Sequence, residues 1–209
     1  MTSRWTNVRT VSRTAICSSL SPKSICPPCH SVWVVVDGSR LGLLRWQLHW
    51  AWSLAGYHLP ALTDELCRWE PAPESWTVRR GSDGRWRPDW AEPEPDPPPG
   101  VTVGWVTWHL GWWWSATLDH AAGRQPPSRE DVLWPGSAAA AVEWISGLHA
   151  RWKDFLDGRT ESDLDEPFPF PWPEPRPLSI AAAWVNGELT KNVSEIGVLR
   201  HTWEALGRP

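Results

Sequence analysis

The densest group of chemically reactive side chains is Cys26-Pro27-Pro28-Cys29-His30. The spacing C-x-x-C-H is that of covalent haem attachment, and C-x-x-C alone is that of thiol–disulfide exchange. Together with Cys17, the same residues could also hold Zn²⁺. Haem attachment needs export, redox exchange needs a strand-to-helix junction, and zinc needs a second ligand pair. The neighbouring sequence indicates none of these, so we interpret the motif as a chance occurrence.

A second candidate lies near the middle of the chain, where His109 is surrounded by tryptophans. Trp105, Trp108 and Trp112 stand four and one residues before it and three residues after it, on one side of a helix. An aromatic wall around a few converging polar groups is the usual form of a small-molecule site. Each tryptophan alone is explained more simply as a core residue, because the chain has 20 Trp but only three Phe and one Tyr.

Charge and hydropathy exclude several classes of protein. Residues 1–40 carry a net charge of +4, while the remainder carries −8. An acidic domain repels the phosphate backbone, so we predict no nucleic-acid partner. No segment approaches the roughly 20 apolar residues that cross a bilayer, so we predict no membrane partner. The sequence therefore predicts a soluble protein, and its cysteines fit the reducing cytoplasm.

Four helices are needed to position these residues, and apolar periodicity predicts them. The first begins at Leu41, the second after the N-cap Thr102, the third after Ser137 and the fourth near Ser179. The fourth includes Ile180 and Trp184 among its apolar positions. No alternating pattern typical of a sheet competes with these helices. The sequence thus predicts an all-α fold, an up-down four-helix bundle.

The segments outside these helices are of two kinds. Residues 1–40 have no helical repeat, and we predict a disordered or spurious N-terminal extension ahead of a domain at 41–209. A chain that starts at Leu41 is expected to fold as stably as the full chain. Residues 71–100 and 167–177 are rich in proline and are predicted to be long connections between helices. Three tryptophans in the first connection are expected to pin it to the bundle: Trp76, Trp86 and Trp90.

Three segments of this domain resemble the DinB-like four-helix-bundle family, which includes metal-dependent thiol S-transferases. They are Leu62 to Trp76, Gly104 to Trp114 and Glu188 to Arg200, and the resemblance covers Leu41 to Arg200. It implies a helical bundle whose usual metal site has one histidine on the second helix and two histidines, four residues apart, on the last. Relatives use such a metal to activate a low-molecular-weight thiol for transfer to a small electrophile.

The resemblance places His109 at the first of these positions and Glu188 and Asn192 at the other two. It therefore implies a divalent metal, Zn²⁺, Ni²⁺ or Mn²⁺, held by His109, Glu188 and Asn192, although two histidines are replaced. In an alternative interpretation, His109 and Glu188 hydrogen-bond across the bundle and bind no metal. In both, Trp105, Trp112 and Trp184 would form the substrate wall.

Two functions are consistent with this pattern. The first is a metal-dependent thiol transferase that acts on a small electrophile. The second is a non-catalytic bundle with a degenerate metal site, which binds a small apolar ligand or a protein partner, including a second copy of itself.

Overall fold

The computed structural model describes residues 38–208, and the Cys26–His30 motif lies outside this range. The described part is mainly helical, which confirms the predicted all-α class. Its helices are α1 (Arg40–His58), α2 (Asp64–Arg68), α3 (Val103–Ala121), α4 (Ala138–Asp157) and α5 (Leu178–Ala205). No helix within residues 38–208 combines the length and the hydrophobicity that a membrane span requires.

The helix starts follow the capping signals in the sequence. The side chain of Thr102 accepts a hydrogen bond from the backbone N–H of Trp105 at the start of α3. Ser137 does the same for Ala140 at the start of α4. Each cap satisfies one of the backbone donors that the first helical turn leaves unpaired. The predicted starts of these two helices are therefore confirmed.

Helix α1 begins slightly earlier than the predicted boundary at Leu41. Ser39 is its N-cap and accepts from the backbone N–H of Gly42. Arg40 forms salt bridges with Glu161 and Asp165, which lie on the segment before α5. A chain starting at Leu41 would lose this cap, a change that typically costs about 1 kcal/mol. The stable domain therefore includes Ser39 and Arg40.

The directions of the helices follow from their contacts. Asn186 donates to the carbonyl of Leu44 and Arg200 donates to that of Tyr57, so α1 and α5 run parallel. Helices α3 and α4 also run parallel to each other, and they run antiparallel to α1 and α5. Parallel neighbours need a connection that returns along the bundle. For α3 and α4 the segment 122–137 supplies this return path, because Val132 and Trp134 hydrogen-bond to Trp108 and Thr107 near the start of α3.

The predicted connection at residues 71–100 contains four short strands, which the sequence reasoning missed. Strand β1 (Ser75–Trp76) pairs in parallel with β4 (Gly100–Val101), and β2 (Val78–Arg80) pairs antiparallel with β3 (Trp86–Pro88). Two further strands, β5 (Pro167–Phe168) and β6 (Arg176–Pro177), pair before α5. Strands of two or three residues are too short for an alternating pattern to stand out.

Tryptophans fill the bundle core, as predicted from composition. Trp108, Trp113, Trp114 and Trp152 are each at most 2% exposed. The connection at 71–100 is also pinned as expected, because Trp76 packs against Trp105 and Trp86 packs against Trp134.

Close packing against α3 depends on a glycine. A Cβ at Gly111 would lie 2.1 Å from a ring carbon of Trp144 on α4. We predict that Gly111→Ala lowers the free energy of unfolding by about 1–3 kcal/mol through overpacking. The matched control is Gly147→Ala on α4, where a Cβ meets nothing within 4 Å and helix propensity should stabilise by up to about 1 kcal/mol. Urea denaturation of both variants checks the contrast, and equal effects would contradict it.

Candidate functional site

The candidate site is a cavity of about 530 Å³ between the first half of α3, one side of α5 and the connection before β4. Five tryptophans line it, and a polar cluster of His109, Lys191, Asn192 and Glu195 lies at its wall. The lining tryptophans are Trp76, Trp90, Trp105, Trp108 and Trp112. The structure thus brings together four sequence-predicted site residues: Trp105, His109, Trp112 and Asn192.

His109 is held between aromatic rings. Its imidazole lies parallel to the indole of Trp105, with centroids 5.1 Å apart, and is tilted against Trp112 at 5.7 Å. The pKa of His109 is lowered to about 4, mainly by burial and also by the positive charge of Lys191. The side chain of Asn192 acts in the opposite direction as a hydrogen-bond partner. His109 is therefore a neutral imidazole at pH 7.

Asn192 connects α3 to the polar cluster. It is 1% exposed, and its Oδ1 accepts a hydrogen bond of 3.1 Å from the indole N–H of Trp113. Its Nδ2 donates to a carboxylate oxygen of Glu195 at 3.0 Å. The amide is thus oriented by partners on both sides, which fixes the position of the Glu195 carboxylate at the cavity wall.

Two residues predicted for the site, Glu188 and Trp184, do not line this cavity. The carboxylate of Glu188 forms a salt bridge of 2.7 Å with Lys191, three residues further along the same helix. The ring of Trp184 packs edge-on against Trp113 and Phe170. The groups that act on His109 are the Asn192 side chain, a hydrogen-bond partner, and the Lys191 ammonium, whose charge reaches the imidazole.

Arg129 is a site residue that sequence reasoning missed. Its guanidinium lies 3.8 Å from the ring centroid of Trp90 and 5.2 Å from that of Trp112. It also forms a salt bridge with Glu92 at 3.1 Å. Arg129 therefore links the connection around Trp90, which closes one side of the cavity, to the middle of α3 at Trp112. Its position in an irregular segment, with no periodic pattern, left no signal in the sequence.

The donor set can be tested for its fit to a divalent metal. Within residues 38–208, no group of three or more His, Cys, Asp or Glu side chains is arranged to hold a metal ion. Asn192 Oδ1 already accepts from Trp113, and the Glu188 carboxylate is paired with Lys191. The positive charge of Lys191 acts on His109 and opposes a second cation there. The residues present therefore do not fit the metal that the resemblance implied.

Cys67 offers no alternative nucleophile. It is fully buried, and burial raises the pKa of its thiol to about 12. Since the thiolate is the reactive form, this cysteine is chemically inert at neutral pH. The chemistry of the described site therefore depends on the side chains around the cavity.

The low pKa of His109 predicts a dependence of stability on pH. The unfolded chain takes up a proton near pH 6.5, whereas the folded chain does so near pH 4. Stability is therefore complete above pH 6.5 and falls as the pH drops towards 4, by up to about 1.4 kcal/mol per pH unit for one proton. His149, whose pKa burial also lowers to about 4, contributes in the same direction.

We expect His109→Gln to reduce this slope by the equivalent of one proton. Urea denaturation at several pH values between 4 and 7 measures it. Identical slopes for the variant and the original chain would show that His109 is not held neutral by the fold.

Comparison with known proteins agrees with this architecture. The family model of the DinB superfamily matches residues 81–196, a segment that contains α3, α4 and most of α5. No curated protein matches the chain. The match spans more than half of the sequence and includes His109, Arg129 and Asn192. The chain therefore belongs to the DinB superfamily.

Proposed function

We propose that this DinB-superfamily bundle binds a small, flat and largely apolar molecule that carries one hydrogen-bonding group, and that it does so without a divalent metal. The observation that carries the proposal is the tryptophan-lined cavity with His109, Asn192 and Glu195 at its wall. Its volume, about 530 Å³, is within the range of about 300–1,000 Å³ that is typical of small-molecule sites.

The orientation of the tryptophans supports a flat ligand. The indole N–H of Trp105 donates to the carbonyl of Asp89, and that of Trp108 donates to the carbonyl of Val132, both at 2.7 Å. These donors are occupied, so the half-buried Trp105 offers a ligand its ring and not its N–H group, while Trp108, which is 1% exposed, forms the buried base of the wall. Ring surfaces favour stacked or edge-on aromatic contacts, each worth about 0.5–1.5 kcal/mol beyond the area buried.

The polar cluster defines the other end of the ligand. A neutral imidazole both donates and accepts a hydrogen bond, the Glu195 carboxylate accepts, and the Lys191 ammonium donates. A hydroxyl, amide or amine on the ligand would find a partner among these groups. Their fixed positions would select among molecules of similar size, because a ligand without the polar group would leave them unpaired.

Metal-dependent thiol transfer to a small electrophile is the second candidate function. Its support is the neutral state of His109, since a neutral imidazole is the form that binds a metal. Glu195 lines the same cavity, and its carboxylate oxygens are a type of ligand that divalent metals accept. The pairing of the remaining donors makes this the weaker proposal.

The first proposal is tested with the neutral fluorescent probe N-phenyl-1-naphthylamine. We expect saturable binding of one probe per chain, measured by its fluorescence. Trp112→Leu should weaken binding at least about fivefold, because it removes an aromatic wall worth about 1 kcal/mol. Trp172→Leu is the matched control: it also changes a half-buried tryptophan, but one that does not line the cavity. No saturable binding, or equal weakening by both variants, would contradict the proposal.

The two candidates are separated by metal analysis of untagged protein purified without chelators. We expect less than stoichiometric Zn, Ni and Mn by elemental analysis, because the donors are paired with one another. His109→Ala should leave these contents unchanged. One equivalent of metal that disappears in His109→Ala would replace the first proposal with the second.

A further inference from the structure

The outward face of α5 is unusual for a surface helix. Its exposed residues from 180 to 198 recur at steps of three and four and form one stripe. They are Ile180, Ala183, Gly187, Lys191, Ser194 and Val198. Lys191, the one charged member, is paired with Glu188. A helix exposed to water along five turns normally carries charged residues on that face.

The adjacent surface of α1 continues this uncharged face. Leu43, Trp46 and Trp50 are 48%, 40% and 54% exposed, although large apolar side chains are usually buried. Ile180 is 49% exposed on α5. The four side chains together expose on the order of 400 Å² of apolar surface, which is the size of the largest apolar patch on a typical monomer, and such a patch is often functional.

Helix α4 shows that this composition is not general in the molecule. Its exposed residues include Glu143, Arg151, Lys153 and Asp154. The chain thus places charges on a surface helix where that helix faces water. The uncharged α1–α5 face therefore differs from the rest of the described helical surface in the way that a covered surface would.

The shape of the face is complementary to itself. A groove of about 280 Å³ lies between Trp46 and Trp50 on α1 and Ala183 and Gly187 on α5. A Cβ added at Gly187 would meet nothing within 4 Å, so the groove is open at this point. Large projecting rings and an open groove occur side by side. A two-fold interface needs such a pair on one surface, because each copy supplies both halves.

We propose that the α1–α5 face is the interface of a homodimer, in which Trp50 of each copy enters the Gly187 groove of the other. A standard interface buries about 800 Å² on each partner. The exposed apolar side chains supply roughly half of this area, and the groove and its polar borders, Gln47 and Thr190, supply the surrounding contact. The absence of unpaired charge avoids the desolvation cost that a buried charge would add.

The groove of the dimer face is separate from the ligand cavity, although Lys191 of the α5 stripe also lines that cavity. The groove shares no lining residue with the cavity that contains His109. Disruption of the dimer is therefore expected to leave probe binding in the cavity intact, and failure of either proposal can be recognised separately.

Sedimentation velocity of the full chain tests the dimer. We expect a species of twice the 23.7 kDa chain mass at micromolar concentration. Gly187→Arg should convert it to a monomer, because the guanidinium would fill the groove and carry an unpaired charge into the interface. Gly147→Arg is the matched control, since Gly147 is also an exposed mid-helix glycine with nothing within 4 Å of its Cβ, but on α4. This variant should remain a dimer.

A second variant, Trp50→Glu, should give the monomer without a change at Gly187. Circular dichroism of each variant verifies that the helices are retained. A monomeric original chain, or the same oligomeric state for Gly187→Arg and Gly147→Arg, would overturn the proposal. So would a dimer that persists in both Gly187→Arg and Trp50→Glu.

Discussion

Helix α3 must bury several indole rings and still provide acceptors for their N–H groups, which is achieved for Trp105, Trp108 and Trp113 but not for Trp114. It carries five tryptophans, of which Trp108, Trp113 and Trp114 are almost completely buried. A buried indole contributes a large apolar area, but an unpaired N–H costs about 1–3 kcal/mol. Trp113 therefore meets Asn192 on α5, and Trp108 meets the carbonyl of Val132. The packing of α3 against its neighbours depends on these pairings.

The same constraint shapes the site. Asn192 is buried because Trp113 needs an acceptor, and its free amide group then holds the carboxylate of Glu195 at the cavity. His109 lies between Trp105 and Trp112, which exclude water and keep the imidazole neutral. The polar cluster thus results from the hydrogen bonds that the buried side chains of the core require. This explains why its donors are paired with one another rather than directed towards a common metal position.

The charged groups at the cavity are also paired. Lys191 is neutralised by Glu188, and Arg129 is neutralised by Glu92 while it lies between two tryptophans. The contacts of Arg129 hold the connection around Trp90 against the middle of α3, and both ion pairs limit the unpaired charge offered to a ligand. The outer α1–α5 face has a different composition, since the groove beside its exposed tryptophans is lined by no charged residue. The molecule therefore has one aromatic surface that is enclosed and one that is open.

The sequence by itself determined the helices, their caps and part of the site. Caps such as Thr102 and Ser137 act within one helical turn, so they can be recognised without the fold. Helical spacing likewise placed Trp105, His109 and Trp112 on one side of α3, and the resemblance identified Asn192. These features depend on local geometry or on family pattern.

The tertiary structure alone decided the rest. In the structure Glu188 forms an ion pair with Lys191, and the ring of Trp184 packs against Trp113. The direction of each side chain depends on which neighbours the fold brings nearest. Ile180 is one of the apolar positions that predicted the last helix, but it is 49% exposed because α1 and α5 pack through a different side of the helix. Arg129 reaches the cavity from an irregular segment. The path of such a segment is set by contacts between residues distant in sequence, and periodicity carries no information about them.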